Sequence, residues 1–224
     1  MSVEVVFIHG AGQAGADAWP QQAAEDEGGW FFMLREGVAD DAHRDARRIL
    51  DHLRDKAGGH VVAHSYGANA ALLAAQEQPD LVHSLTLLEP ACFDLARGQT
   101  AVEEHIAAMR PVFEVADAAD VSTREFSLRF AAGMGFDAPD LPDDVLEERV
   151  SRLRAMRPPW DVGLRGLSTK TLVITGGERP LYEETAESLE NLGAEHRTFN
   201  RVSHRVQDDP RATPTLRKWF SEQR

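Results

Sequence analysis

The sequence predicts one α/β domain, with a mostly parallel β-sheet that is flanked by helices and interrupted by a helical insertion. Short apolar runs of strand length alternate with stretches of helical spacing along most of the 224 residues. Because strands that alternate with helices pair through right-handed crossovers, this order indicates a parallel sheet. The alternation stops after Cys92 and resumes at Thr171. A chain of this length suits a single domain with one insertion.

The first part of the chain contains alternating strand and helix signals. Four apolar runs predict strands: Val3 to Ile8, Trp30 to Leu34, His60 to Ala63 and Leu85 to Leu88. Two stretches predict helices: Asp41 to Lys56, which has apolar residues at helical spacing, and Gly67 to Ala75, which is rich in alanine and leucine. Glycines bound most of these segments, as turns require.

The interrupting stretch is predicted to be helical. Segments 100–103 and 122–125 have the Ser/Thr-x-x-Glu pattern of a capping box, which opens a helix. Asp143 to Arg157 places acids first and arginines later, as the helix dipole favours. We therefore interpret residues 93–168 as a helical lid within a single domain that spans residues 1–224.

After the insertion the alternation returns. Thr171 to Thr175 and Glu195 to Phe199 are predicted strands, and Glu183 to Leu192 is a predicted helix. A last helix is expected to begin with Thr213 as its cap and Pro214 in its first position.

Composition narrows the class of partner and the compartment. The formal net charge of −13 argues against binding to nucleic acid or to an anionic membrane. Cys92 is the only cysteine, which fits a reducing compartment. The N-terminal MSVEVVFIHG lacks the basic region and cleavage site of a signal peptide. We expect a cytoplasmic protein that acts on small molecules. The sequence leaves open whether it forms a homodimer.

The most informative feature is a serine between a strand and a helix. In HVVAHSYGANAALLAA, residues 60–75, Ser65 has small residues at plus and minus two, Ala63 and Gly67. This spacing is one residue from the nucleophile-elbow pattern, in which only small neighbours fit beneath a sharp turn. The helix that follows aims its free N–H groups at a negative charge developing on a substrate. The pattern predicts covalent acyl chemistry at Ser65.

Three stretches together resemble the α/β-hydrolase superfamily, in the arrangement of its smaller esterase-like members. They are VVFIHGAG near the start, HVVAHSYGANAALLAA leading to LTLLEPA, and RVSHRVQDDP near the end. The resemblance implies an α/β-hydrolase fold and a catalytic order of serine, acid and histidine. It therefore implies that Ser65 is the nucleophile and His204 the general base.

The acid of this triad departs from the family pattern. After the strand TLVITGG, where the family commonly has Asp before Pro, this chain has Arg179, which cannot accept the N–H of a histidine. Glu89 ends the strand that follows the nucleophile's helix, and Glu178 lies one residue from the usual place. We favour Glu89, because a strand end fixes its direction, with Glu178 as the alternative acid.

The resemblance also implies an oxyanion hole and a pocket. The hole would be formed by the backbone N–H groups of Tyr66 and Ala11. His9 and His64 are interpreted as structural. Several apolar residues are candidates for an acyl pocket under the lid, although such residues are more often core: Trp19, Phe93, Met109, Phe113, Phe130 and Met134.

The sequence thus predicts a serine hydrolase that cleaves a small ester-like substrate without a cofactor. No metal site is predicted, because no histidines are paired at ligand spacing. One alternative keeps the triad but changes the reaction, to a lyase of the hydroxynitrile type or a hydrolase of carbon–carbon bonds. Another is a catalytically weak protein of this fold that binds ligands.

Overall fold

The computed structural model describes residues 4–12, 15–26, 28–34 and 41–223. Within them six strands form one sheet in the order β2-β1-β3-β4-β5-β6, and every neighbouring pair is parallel. The strands are β1 Val5–Ile8, β2 Trp30–Phe32, β3 Gly59–His64, β4 Val82–Leu88, β5 Thr171–Gly177 and β6 Glu195–Val202. The predicted parallel sheet is confirmed. Val3, the predicted start of the first strand, lies outside the described residues.

Eight α-helices accompany these strands in the described part of the chain. They are α1 Pro20–Ala24, α2 Ala42–Arg54, α3 Gly67–Glu77, α4 Thr100–Glu114, α5 Thr123–Met134, α6 Asp143–Arg154, α7 Pro180–Asn191 and α8 Ala212–Glu222. Short 3₁₀ turns occur at Gly15–Ala18, Phe93–Ala96 and Val206–Asp208. None of the described helices combines the length and the apolar character that crossing a membrane requires.

Both faces of the sheet are apolar and covered. Alternate residues of a strand point to opposite faces, so Val6 and Ile8 pack with α2 and α3. Val5 and Phe7 pack on the other side with Trp219 and its neighbours on α8. A parallel sheet needs this cover on both faces. Each fully buried large side chain here contributes about 1.5–3 kcal/mol of stability.

Helices α4, α5 and α6 lie in the chain between β4 and β5, within the stretch predicted as a lid, and we call residues 93–168 the helical segment. These helices carry an apolar cluster separate from the two that cover the sheet. The cluster also takes in Leu181 and Tyr182, the second and third residues of α7. The helical segment is therefore joined to the end of the sheet at which β5 passes into α7.

At one of the two predicted capping boxes the serine caps its helix, whereas at the other the threonine does not. Ser122 caps α5, and its hydroxyl accepts a hydrogen bond from the Glu125 N–H at 3.2 Å. Thr100 is instead the first residue of α4, and Gln99 is in the cap position. Glu184 on α7 accepts from the N–H groups at the start of α4, at 2.6 Å from Ala101. A carboxylate from another helix therefore replaces the local cap.

The predicted start of the last helix is wrong by two residues. Helix α8 begins at Ala212 with Arg211 in the cap position, so Pro214 is its third residue. The side chain of Thr213 is not a cap, because it is buried and accepts a hydrogen bond from Gln22 Nε2 at 3.1 Å. A tertiary partner on α1 uses the hydroxyl that the local pattern assigned to capping.

Candidate active site

Ser65 lies at a sharp turn between β3, which ends at His64, and α3, which begins at Gly67. Its backbone has φ of 52°, in the left-handed region that non-glycine residues rarely adopt. The turn is held from the next strand, because the Ser65 N–H donates to the Leu88 carbonyl at 2.9 Å. The Ser65 carbonyl accepts from the Ala91 N–H at 3.1 Å. Strain of this kind is typical of a functional site.

Only small residues fit beneath Ser65, because the neighbouring backbone leaves too little room for a side chain. A Cβ at Gly67 would lie 2.7 Å from the His9 carbonyl oxygen, so no side chain fits there. A Cβ at Gly10 would lie 3.1 Å from the Ser65 Cβ. The loop after β1 therefore passes directly beside the serine. This close approach brings the predicted oxyanion donor Ala11 into the same site.

His204 follows β6 and reaches the serine. Its Nε2 lies 3.2 Å from the Ser65 Oγ. The loop that carries it is fixed by His64, whose Nε2–H donates to the His204 carbonyl at 2.9 Å. Burial, and then the nearby His204, hold the pKa of His64 well below its ordinary value. His64 is therefore neutral. Its hydrogen bond to the His204 carbonyl is in keeping with the structural role that the sequence predicts for it.

Glu89 completes a chain of three side chains. It directly follows β4 with φ of 44°, so its backbone is strained in the same way as that of Ser65. Its Oε2 lies 3.4 Å from His204 Nδ1, and its Oε1 accepts from the Gly176 N–H at 2.6 Å. The side chain is only 2% exposed. These contacts link the Ser65 hydroxyl, the His204 ring and the Glu89 carboxylate in series.

The alternative acid is in a different environment. Glu178 is exposed and makes no hydrogen bond or ion pair with any described residue. Its neighbour Arg179 occupies the region that the usual acid would fill, and Nη2 donates to the Met134 carbonyl at 2.7 Å. The Arg179 guanidinium also lies 4.7 Å above the Phe136 ring. The β5–α7 turn thus contributes a cation to the site instead of a carboxylate.

The electrostatics of the three groups follow from burial. Burial, and then Arg179 and Arg205, lower the pKa of His204 far below its ordinary value. Burial also raises the pKa of Glu89 to about 7, while the Gly176 N–H and Arg179 oppose the rise. At neutral pH His204 is therefore unprotonated, which is the form that can accept a proton from Ser65.

Tyr182, which the sequence reading did not single out, packs against the histidine. Its ring stacks on that of His204, with centroids 4.7 Å apart and planes 17° from parallel. Burial raises the pKa of Tyr182, whereas Arg179 and the hydroxyl of Ser65 act in the opposite direction. The buried Tyr182 hydroxyl has no hydrogen-bond partner of good geometry among the described residues. In the sequence, the one indication that Tyr182 belongs to the site is its position three residues after Arg179.

A cavity of about 410 Å³ opens onto Ser65 and His204. Ala11 and Tyr66, the predicted oxyanion residues, both line it. The Tyr66 side chain turns away, since its hydroxyl donates to the Arg157 carbonyl at 2.9 Å. The backbone of Tyr66 lies at the start of α3, directly after Ser65 in the chain.

Most of the predicted pocket residues line this cavity. They are Phe93, Met109, Phe113, Phe130 and Met134. Trp19 does not: it is fully buried and packs edge-on against Phe7 at 5.1 Å. Its place in the core corrects that part of the prediction. The sequence reading missed several other lining residues, which bring polar groups to the cavity: His105, Ser127, Asp137 and Arg149.

No group of three or more histidine, cysteine, aspartate or glutamate side chains in the described ranges has the geometry of a metal site. Cys92 is buried, and burial raises the pKa of its thiol. The neutral thiol is a poor nucleophile and a poor metal ligand. Cys92 is not among the residues that line the cavity, whereas Ser65 is.

The comparison with protein families agrees with this arrangement. Residues 5–213 match the model of the alpha/beta hydrolase family, and the chain belongs to that family. Comparison with curated protein sequences gave no match.

Solved structures show the same fold at low identity. An epoxide hydrolase from Bacillus megaterium has a TM-score of 0.66 at 14% identity and covers 99% of this chain and 94% of its own. Est816, described as an N-acyl homoserine lactone degrading enzyme, has a TM-score of 0.60 at 18% identity. The match covers 98% of this chain and 93% of Est816. A structure from work on carboxylesterases of Nitrososphaera gargenis has a TM-score of 0.60 at 15% identity, with 99% and 91% covered.

Proposed function

We propose that this hydrolase is a cofactor-independent serine hydrolase that cleaves a small ester-like substrate through an acyl-enzyme on Ser65. The observation that carries the proposal is the continuous contact from the Ser65 hydroxyl through His204 to Glu89, with distances of 3.2 Å and 3.4 Å. A serine hydroxyl is a weak nucleophile on its own and needs a base within this reach. The family match supports hydrolysis in general.

In the proposed reaction, His204 Nε2 takes the proton of Ser65 as Oγ forms a bond to the substrate carbonyl carbon. The carbonyl oxygen becomes an oxyanion, which the backbone N–H groups of Ala11 and Tyr66 stabilise. The tetrahedral adduct collapses, the bond to the alcohol oxygen breaks, and His204 returns its proton to that oxygen. Water then attacks the acyl-enzyme with the same base, releasing the acid and free Ser65.

Glu89 would act on the histidine and not on the substrate. Its carboxylate accepts the Nδ1–H of His204, which fixes the tautomer that presents a lone pair at Nε2. It also stabilises the imidazolium that forms when the proton is taken. The Gly176 N–H at 2.6 Å holds the carboxylate in place and supports its ionised form.

The helical segment is proposed to act as a lid over a modest, partly apolar substrate. Its aromatic and methionine side chains line the cavity above Ser65. A cavity of about 410 Å³ is of the size that takes a small ligand, and apolar walls exclude water from the reacting bond. The buried lone Cys92 supports a reducing, cytoplasmic setting.

The proposal is tested by labelling with a fluorophosphonate probe, followed by intact-mass measurement, and by assay with short p-nitrophenyl esters. We expect one label on Ser65 and ester turnover. Ser65→Ala should abolish labelling and lower kcat by at least about 10³-fold while the protein stays folded. Ser221→Ala, at an exposed serine on α8, is the control and should behave as wild type.

The alternatives give different outcomes in the same experiment. Absence of labelling in folded protein would favour a ligand-binding role. Labelling without turnover of esters or amides would favour a lyase or carbon–carbon bond reaction at the same serine. Labelling that persists in Ser65→Ala would contradict Ser65 as the nucleophile.

A further inference from the structure

Arg149 brings a positive charge to the cavity of the proposed active site. It lies on α6 and lines the same cavity as Ser65 and His204. Its guanidinium borders the loop after β1, because a Cβ at Gly12 would lie 3.1 Å from Arg149 Nε and 3.5 Å from Nη2. Gly12 is two residues beyond Gly10, and two residues span at most about 7.6 Å. The guanidinium therefore lies along the loop that passes beside Ser65.

The other arginine that lines the cavity and the other two arginines of α6 have partners. Arg205 also lines the cavity, but its guanidinium is paired with Asp208, with Nη2 3.0 Å from Oδ1. On α6, Arg152 lies 3.9 Å from Glu148. Arg154, the third arginine of α6, donates to backbone carbonyls outside that helix.

Arg149 has no such partner in the part of the chain that the structure describes. None of the described residues accepts a hydrogen bond from it, and no described carboxylate lies within 4.0 Å of it. It is half-buried, and burial, followed by Arg152, lowers its pKa. An unpaired cation in a partly dehydrated place is costly, and an incoming anion there gains more than it would at the surface.

The other charges around the cavity are compatible with a bound anion. Arg179 is a second cation with no carboxylate partner among the described residues, and it lowers the pKa of both His105 and His204. Asp137 is the one carboxylate among the described cavity residues, and it is exposed to water at the edge. Arg149 is thus a cation on the cavity wall of a chain whose net charge is −13.

We propose that Arg149 binds an anionic group of the substrate, with a carboxylate as the best match, while the ester lies at Ser65. The inference rests on the proposed function for the reaction and adds the substrate class. A guanidinium offers parallel N–H donors that fit the two oxygens of a carboxylate. The apolar lining would hold the chain that joins the carboxylate to the ester.

The test compares pairs of esters in which a neutral methyl group replaces the carboxylate. On the acyl side these are mono-p-nitrophenyl adipate and p-nitrophenyl hexanoate. On the alcohol side they are 4-carboxyphenyl acetate and 4-methylphenyl acetate. We expect Arg149→Met to lower kcat/KM at least tenfold for one of the charged esters and less than threefold for its neutral match. Arg149→Lys, which keeps the charge but not the paired donors, should fall between.

Two further proteins control for non-specific effects. Arg124→Met removes an exposed arginine of α5 from the same helical segment and should change neither ratio. Arg149→Gln is a second neutral variant for use if Arg149→Met does not fold, as judged by thermal unfolding. Equal losses for charged and neutral esters, or no loss for either charged ester, would count against the subsite.

Calorimetric titration of wild type and Arg149→Met with adipate separates the subsite from the reaction. If wild type binds adipate and Arg149→Met does not, the subsite is supported, whether or not any ester is cleaved. If, in addition, no ester is cleaved and Ser65 is not labelled, only the hydrolase proposal fails. The inference is overturned when neither adipate binding nor turnover of a charged ester depends selectively on Arg149.

Discussion

The ends of β4 and β5 lie side by side, yet they contribute opposite charges to the site. At the end of β4, Glu89 has a strained backbone and a buried carboxylate that reaches His204. At the end of β5, where related hydrolases commonly place the acid, Glu178 points to solvent and Arg179 provides a cation. The two ends are linked, since the Gly176 N–H of β5 donates to Glu89.

This difference indicates that the position of an acid in such a site depends on which strand end can hold a dehydrated carboxylate. At the end of β4 the backbone of Glu89 is fixed to β5, because the Glu89 N–H donates to the Ile174 carbonyl at 2.9 Å. A carboxylate placed at 179 would lie where Arg179 now donates to Met134. The cation nevertheless contributes to the site, because it lowers the pKa of both partners of the pair formed by Glu89 and His204.

The largest expected effect separates the two glutamates. Glu89→Gln should lower kcat by about 10²- to 10⁴-fold, because it removes the charge that stabilises the imidazolium of His204. Glu178→Gln, the matched control, should stay within about threefold of wild type, since exposed charges interact weakly. Steady-state kinetics on p-nitrophenyl butyrate measure both. A large loss in Glu178→Gln with a silent Glu89→Gln would reverse the assignment.

The same substitution should stabilise the fold as the pH rises. Since the pKa of Glu89 is raised from 4.5 to about 7 in the folded protein, wild type loses stability from about pH 4.5, and the loss is complete once the pH has passed about 7. The free energy of unfolding of Glu89→Gln should therefore exceed that of wild type by up to about 3 kcal/mol at pH 8. Urea unfolding at pH 4.5 and pH 8 tests this, and a difference that does not grow with pH would contradict it.

Removing the cation at the β5 end should move the pH profile. Arg179 lowers the pKa of His204 and of Glu89, so Arg179→Met raises both. The acid limb of kcat/KM, where the pair takes up its first proton, is then expected at higher pH than in wild type. Profiles from pH 4 to 9 measure the shift, with Arg124→Met as a control that should show none. A shift to lower pH would mean that the cation does not act on the pair.

The smallest effect concerns Tyr182, at the start of α7. Tyr182→Phe keeps the ring that stacks on His204 and removes only the hydroxyl. We expect kcat to fall about two- to tenfold with KM unchanged, because the Tyr182 hydroxyl interacts with that of Ser65, a contact weaker than a well-formed hydrogen bond. Tyr182→Ala should lose more, because the stacking is lost as well. If the phenylalanine variant matches wild type in kcat, the hydroxyl has no part in the reaction.

The sequence was sufficient for the features that depend on local spacing. The parallel sheet followed from the alternation of elements, and the turn at Ser65 from small residues on both sides of it. The sequence favoured Glu89 over Glu178 because a strand end fixes its direction, but spacing along the chain does not say which loop approaches His204. Arg149 and Tyr182 have no motif: the packing of α6 places Arg149 at the cavity, and that of α7 places Tyr182 against His204. The caps expected at Thr100 and Thr213 failed because partners distant in sequence use those groups.

The bond from Glu184 to the start of α4 has a mechanical consequence for access to the cavity. Glu184 Oε2 accepts from both Ala101 and Val102, so the first turn of α4 is fastened to α7, which in turn follows the central sheet. Any opening that keeps these bonds must pivot about that turn. Phe136, which follows α5, and Arg149, within α6, lie beyond that turn along the chain, and both line the cavity. For the lid proposed above, we expect substrate to enter and leave beside these two residues, away from the fastened turn.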